Sequence, residues 1–93
     1  MPAYIVANVQ WSDPAKIEEY SQVAYPTLVA AGGKMLAATD QVTIIEGEWR
    51  PGIHVIIEFP TAEAASRWLD SPEYQPAKEV RRQFAITNLI LID

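Results

Sequence analysis

The segment Ile53-His54-Val55-Ile56-Ile57-Glu58-Phe59 constrains the fold more than any other stretch of this chain. It is rich in β-branched residues and reads as a strand. Successive strand side chains point to opposite faces, so Ile53, Val55, Ile57 and Phe59 form one set and His54, Ile56 and Glu58 the other. Two other strand-like segments behave alike. Ile5, Ala7 and Val9 oppose Tyr4, Val6 and Asn8, and Ile86, Ile90 and Ile92 oppose Leu89 and Leu91. Both faces are substantially apolar, whereas a sheet with one face in water alternates cleanly between apolar and polar. A sheet built from these strands therefore needs two covers.

The remaining segments supply one cover. Ser12-Asp13-Pro14 announces a helix, with Asp13 as the cap and Pro14 at the first helical position. Ile17, Tyr20, Ala24 and Leu28 then recur at helical spacing. Pro26 removes the bond to the Gln22 carbonyl and is expected to kink or break this helix, which Gly32-Gly33 stop. A short strand spans Lys34 to Ala38, and Val42-Thr43-Ile44-Ile45 is expected to continue it after a turn at Thr39-Asp40. Glu46 to Gly52 reads as a polar loop. Pro60-Thr61 opens a second helix from Ala62 to about Asp70, with Ala65, Trp68 and Leu69 inward. Ser71-Pro72-Glu73 repeats the cap-plus-proline signature before a last helix near Ala77 to Phe84, with Val80 and Phe84 inward. Ile86 to Ile92 closes the chain as a strand.

This order is β-α-β-β-α-β, the α+β ferredoxin-like pattern of an antiparallel sheet with helices on one face, in one domain over residues 1–93. No element is left for the second face. A two-fold partner sheet is the economical cover, so a homodimer is expected.

Composition excludes several function classes. The net charge of −5 argues against nucleic acid, which demands a basic face. Lys78, Arg81 and Arg82 read as a solvated helix face. With no cysteine there is no disulfide, thiolate site or cysteine nucleophile. One histidine leaves only carboxylates for metal ligation, so neither metal, haem nor other cofactor is expected. No apolar run approaches the roughly 20 residues a spanning helix needs. The strand-like segment Ala3 to Gln10 has no basic region ahead of it, which argues against a signal peptide and for a cytoplasmic protein. Phosphate-cradling, nucleophile-elbow and calcium-loop motifs are all missing.

Glu58 and His54 are the catalytic candidates. A carboxylate interrupting an apolar strand is either partly exposed, ion-paired, or raised in pKa and suited to acid–base work. Glu58 is expected to be buried and bonded to a partner such as Asn8, Tyr4 or the Arg50 of a second copy. His54 is either a proton handler or a partly buried ring satisfied by backbone. The two lie four residues apart, about 13 Å along one strand, too far for a dyad. Tyr20, Tyr25, Trp68 and Tyr74 are core aromatics or the lining of an amphipathic pocket that Pro26 opens by kinking the first helix. Trp49 and Arg50 sit in the loop, where Trp49 either lids a pocket or packs on a neighbouring subunit.

The blocks Gly32-Gly33, Glu46-Gly47-Glu48-Trp49-Arg50-Pro51, Ile57-Glu58-Phe59-Pro60-Thr61 and Ser71-Pro72-Glu73-Tyr74-Gln75 resemble, in order, those of the family called domain of unknown function 1330. The resemblance spans essentially the whole chain. Leu69 departs from it, standing where many relatives have tyrosine. The resemblance implies a dimeric α+β barrel, two ferredoxin-like sheets packed back to back. That superfamily includes cofactor-independent monooxygenases, haem enzymes, isomerases and stress-related binding domains. Two functions are consistent with it. One is a homodimeric small-molecule-binding domain acting as a cofactor-independent, monooxygenase- or isomerase-like enzyme on a small apolar or aromatic metabolite. The other is a non-catalytic dimeric module that binds a ligand or a protein.

Overall fold

A computed structural model of the chain describes residues 1–93. Ala3–Trp11 form β1, Ala15–Ala30 α1, Lys34–Thr39 β2, Ile53–Phe59 β3, Ala62–Asp70 α2, Gln75–Phe84 α3 and Ala85–Ile92 β4. The sheet order is β2-β3-β1-β4, antiparallel at every neighbouring pair. This is the ferredoxin-like α+β fold expected from the element order.

Register decides which strand faces meet. Ile5 of β1 lies opposite Ile57 of β3 and Leu91 of β4, and Ala7 lies opposite Val55 and Leu89. These side chains face the helices, and Ile5, Ile57 and Phe59 join Ala24, Leu28, Ala65, Trp68, Tyr74 and Ala77 in one core. The other face carries Tyr4, Val6 and Asn8 beside His54, Ile56, Glu58, Asn88, Ile90 and Ile92. Nothing in this chain covers it: Ile86 is 68% exposed, Ile90 56% and Ile92 49%.

The helix ends follow the local chemistry. Asp13 Oδ1 accepts from the Ala15 N–H at 3.1 Å. Thr61 Oγ1 accepts from Ala64 at 3.1 Å and starts α2. α1 runs through Pro26 rather than breaking there. Gln22 and Pro26 lie on the exposed side, so water can take the freed carbonyl, while Ala24 and Leu28 hold both halves of the helix on one core. The chain leaves α1 through Gly33, whose N–H reaches the Leu28 carbonyl at 2.9 Å. A Cβ at Gly33 would sit 2.3 Å from Leu28 Cδ1, so only glycine passes over the core here.

Three boundaries differ from the sequence reading. Val42 to Ile45 form no strand, and residues 40–51 are exposed. Pairing of β2 with β3 ends at Thr39 opposite His54, so the β-favouring side chains beyond have no partner strand. Ser71 closes α2 rather than opening α3: its hydroxyl donates to the Trp68 carbonyl at 2.8 Å. α3 begins at Gln75, two residues before Ala77, and Ala77 is its buried residue rather than Val80 or Phe84.

Candidate functional site

The helices do not fill the space above the sheet. α1 packs mainly on α3 and stands off from the strands. Beneath it lies a cavity of about 340 Å³. Three methyl-sized side chains leave this room: Ala7 on β1, Ala24 on α1 and Ala38 on β2 all line it. Its floor is Ile5, Val9, Val55 and Ile57, and its roof includes Ile17, Tyr20 and Leu28. Rings form one wall. Trp68 and Tyr74 have centroids 4.2 Å apart, Tyr74 and Tyr20 6.3 Å, and Tyr20 and Trp11 5.5 Å. Tyr25 also lines the cavity and is 53% exposed, which places it at the mouth.

One end of this apolar chamber is polar. The Tyr20 and Tyr74 hydroxyls are 2.7 Å apart, and Arg81 Nε donates to the Tyr74 oxygen at 3.4 Å. Thr87 lines the same cavity, and its Oγ1 is buried without a hydrogen-bond partner. Burial, and then the neighbouring Tyr74, push the Tyr20 phenol well above its ordinary pKa, with Arg81 pulling the other way. Tyr20 is therefore a protonated donor at any physiological pH.

The structure thus brings Tyr20, Tyr25, Trp68 and Tyr74 together around one cavity. Glu58 and His54 are not in it; they lie on the opposite sheet face. Glu58 is half-buried, with Tyr4 and Lys34 as its cross-strand neighbours. It has no ion-pair partner, the one salt bridge being Lys16–Glu19 at 3.1 Å. As an acceptor, and then through its charge, it holds the Tyr4 phenol above the ordinary value. Asn8 instead donates to the Pro51 carbonyl at 2.7 Å.

His54 anchors the loop. Its Nε2 accepts from Trp49 Nε1 at 2.9 Å, with Asn8 Nδ2 at 3.5 Å, so side chains rather than backbone satisfy it. Two donors on Nε2 place the neutral ring's proton on Nδ1, which is buried without a partner. The Trp49 ring stacks on His54 at 6.5 Å, and Arg50 beside it is exposed. Pro26 lines a separate hollow between α1 and α2 rather than the cavity.

Arg81 and Thr87 escaped the sequence reading. Arg81 follows Ala77 by four residues and Tyr74 by seven, a spacing that puts all three on one helix face. That spacing was the available signal. No group of three or more His, Cys, Asp or Glu side chains is arranged to hold a metal ion, and no helix is long and apolar enough to cross a membrane.

Fold and cavity define a ferredoxin-like α+β protein with a chamber between helices and sheet. The profile of the family called Domain of unknown function (DUF1330) matches residues 2–93, and the chain belongs to that family. Among solved structures, a protein of unknown function from Rhodopseudomonas palustris, RPA0582, is 20% identical with a TM-score of 0.79, over 98% of this chain and 80% of its own. SnoaB from Streptomyces nogalater, a cofactor-independent oxygenase, is 15% identical with a TM-score of 0.67, over 99% and 91%. A dimeric ferredoxin-like protein of unknown function from Jannaschia sp. CCS1 is 8% identical with a TM-score of 0.70, over 100% and 99%. At these identities the likeness is one of fold. A comparison with curated proteins finds no match.

Proposed function

We propose that this chain is a cytoplasmic, homodimeric small-molecule-binding domain whose ligand occupies the chamber between α1 and the sheet. The observation that carries this reading is the cavity of about 340 Å³, apolar along its length and polar at one end. Well-packed cores leave few voids larger than a water molecule, and apolar chambers with a few convergent polar groups are characteristic of ligand sites. The homodimer is supported by the uncovered isoleucines of the second sheet face and by Ile45 and Trp49, exposed on the adjoining loop. Glu58, His54, Trp49 and Arg50 would then serve the contact between copies.

A catalytic version of the reading has one specific support. The Tyr20 hydroxyl borders the cavity and holds its proton firmly, which suits it to donate a hydrogen bond to a developing oxyanion of a cofactor-independent oxygenase or isomerase rather than to transfer the proton. Native mass spectrometry of protein purified from its own host tests the proposal. The expected result is a dimer carrying a small organic molecule, which Ala24→Leu, by filling the chamber, abolishes. A monomer would overturn the assembly, and a dimer with no adduct in either protein would overturn the ligand site.

A further inference from the structure

The polar end of the cavity is made of donors without matching acceptors. Arg81 points from α3 toward the Tyr20–Tyr74 pair, and no carboxylate lies within ion-pairing distance of it. A guanidinium has five N–H donors. Only Nε finds a protein acceptor here, the Tyr74 oxygen at 3.4 Å. Tyr74 is 1% exposed, so its single proton has to find an acceptor inside the protein. Its oxygen already accepts from Arg81, and the Tyr20 oxygen is 2.7 Å away. The bonds therefore run from Arg81 to Tyr74 to Tyr20, leaving the Tyr20 proton free for the chamber.

Thr87 adds a third unsatisfied group at the same end. It pairs across the sheet with Val9, two positions along from the Trp11–Ala85 pair and so on the same face, and Trp11 lies against Tyr20. No aspartate or glutamate lines the cavity, and 17 of its 20 lining residues are hydrophobic. In a chain of net charge −5, the chamber thus holds one cation and several donors, with no anion to meet them.

We infer that the ligand of this cavity is an apolar molecule carrying a single anionic oxygen group, a carboxylate in the simplest case, seated against Arg81, Tyr20 and Thr87. This rests on the chamber being the ligand site. The carboxylate accepts from the free Arg81 donors and from the Tyr20 hydroxyl, and supplies the countercharge that the protein lacks. Its hydrocarbon body lies along Ala7, Val55 and Ile57 beneath α1. One guanidinium matches one negative charge. A phosphate ester, with two charges and a hydrated head, finds neither a second cation nor enough polar wall here.

Calorimetric titration with two matched pairs tests this: 2-naphthoate against 2-naphthamide, and octanoate against octanamide, at neutral pH. Each pair shares its body and differs in charge. The expected result is that each acid binds about ten- to a hundredfold tighter than its amide, the range of a hydrogen bond to a charged group. Arg81→Gln is expected to bring acid and amide within about threefold of each other while leaving amide affinity near wild type. Arg81→Lys keeps part of the acid preference. Arg82→Gln, which removes the same charge from an exposed neighbour, leaves the preference intact. Tyr20→Phe, a change of one atom, weakens the acids by about three- to tenfold and covers the case in which Arg81→Gln fails to fold. Amides that bind as tightly as acids, or an acid preference that survives Arg81→Gln, overturn the anion inference alone. Failure of all four probes to bind the wild type overturns the chamber as a ligand site as well.

Discussion

The two faces of the sheet use the same kinds of side chain and meet opposite conditions. On the helix side Ile5 and Phe59 have no more than 1% of their surface exposed. On the other side Ile56, one residue from Ile57 on the same strand, is 37% exposed, and Ile90 more so. Hydrophobicity along β1, β3 and β4 does not distinguish these faces. What distinguishes them is that α1, α2 and α3 all pack on one side. The difference teaches that strand hydrophobicity alone does not settle burial: this chain's own helices cover one face of the sheet and none of its elements covers the other. Even the covered side is uneven: Phe59, Trp68 and Ala65 are closely packed, while Ala7, Ala24 and Ala38 surround a void.

Mutations on the two faces give the largest effects. Phe59→Ala is expected to cost about 3–5 kcal/mol in urea unfolding, whatever the protein concentration. Ile56→Asp should act through association instead. Its destabilisation should grow with protein concentration, and sedimentation equilibrium should show monomer where the wild type is dimer. If Ile56→Asp were harmless at every concentration, the second face would be a solvent face.

The next contrast lies within the covered side. Ala65 is fully buried away from the void, so Ala65→Leu overpacks the core and should cost about 1–3 kcal/mol. Ala24→Leu places the same atoms in the chamber and should be near neutral or stabilising in the ligand-free protein. Equal penalties in thermal unfolding would mean that the chamber closes in solution.

Alkaline titration then separates the two sides by mechanism. The unfolded Tyr20 phenol ionises near pH 10.0, while the folded one holds its proton to higher pH. The native state therefore binds the extra proton. Its stabilising contribution is complete below pH 10.0 and is lost as pH rises above that value. One such group adds up to about 1.4 kcal/mol of loss per pH unit. Tyr20→Phe should remove that steepening in urea unfolding at graded alkaline pH.

Tyr4, on the open face, should give the smallest and most salt-sensitive effect. Its shift comes first from Glu58 as an acceptor, then from the Glu58 charge, and only last from desolvation. Glu58→Gln should bring its midpoint down toward the ordinary phenol value in an ultraviolet titration, and molar salt should achieve part of that fall. Tyr20 should be unmoved by Glu58→Gln and respond less to salt, because desolvation, its leading cause, is not screened.

Much of this architecture is legible in the sequence where the signal is local. Asp13 and Thr61 mark helix starts because a capping oxygen needs only neighbouring N–H groups. Strand alternation correctly sets Glu58 and His54 opposite Ile57 and Phe59. Local signals mislead where a distant partner decides. Val42 to Ile45 have strand composition but no strand beside them. Pro26 has helix-breaking chemistry on a helix whose two halves share one core. Of the site, the aromatic candidates Tyr20, Tyr25, Trp68 and Tyr74 do meet at one cavity, whereas Glu58 and His54 lie across the sheet from it. Arg81, read as a solvated charge, borders the chamber because Tyr74 and Ala77 turn that helix face inward.

By itself the sequence determined the order of strands and helices, the alternation on each strand and the shortage of covering elements, because these depend on periodicity and on contacts a few residues apart. Only the tertiary structure decided which strand face the helices chose, that three alanines from β1, α1 and β2 would face one another across a void, and that Arg81 would stand at its end without a carboxylate and Thr87 without a hydrogen-bond partner. Those outcomes depend on cross-strand register and on how far α1 stands from the sheet. Both are set by packing between segments far apart in the chain, to which no window of sequence has access.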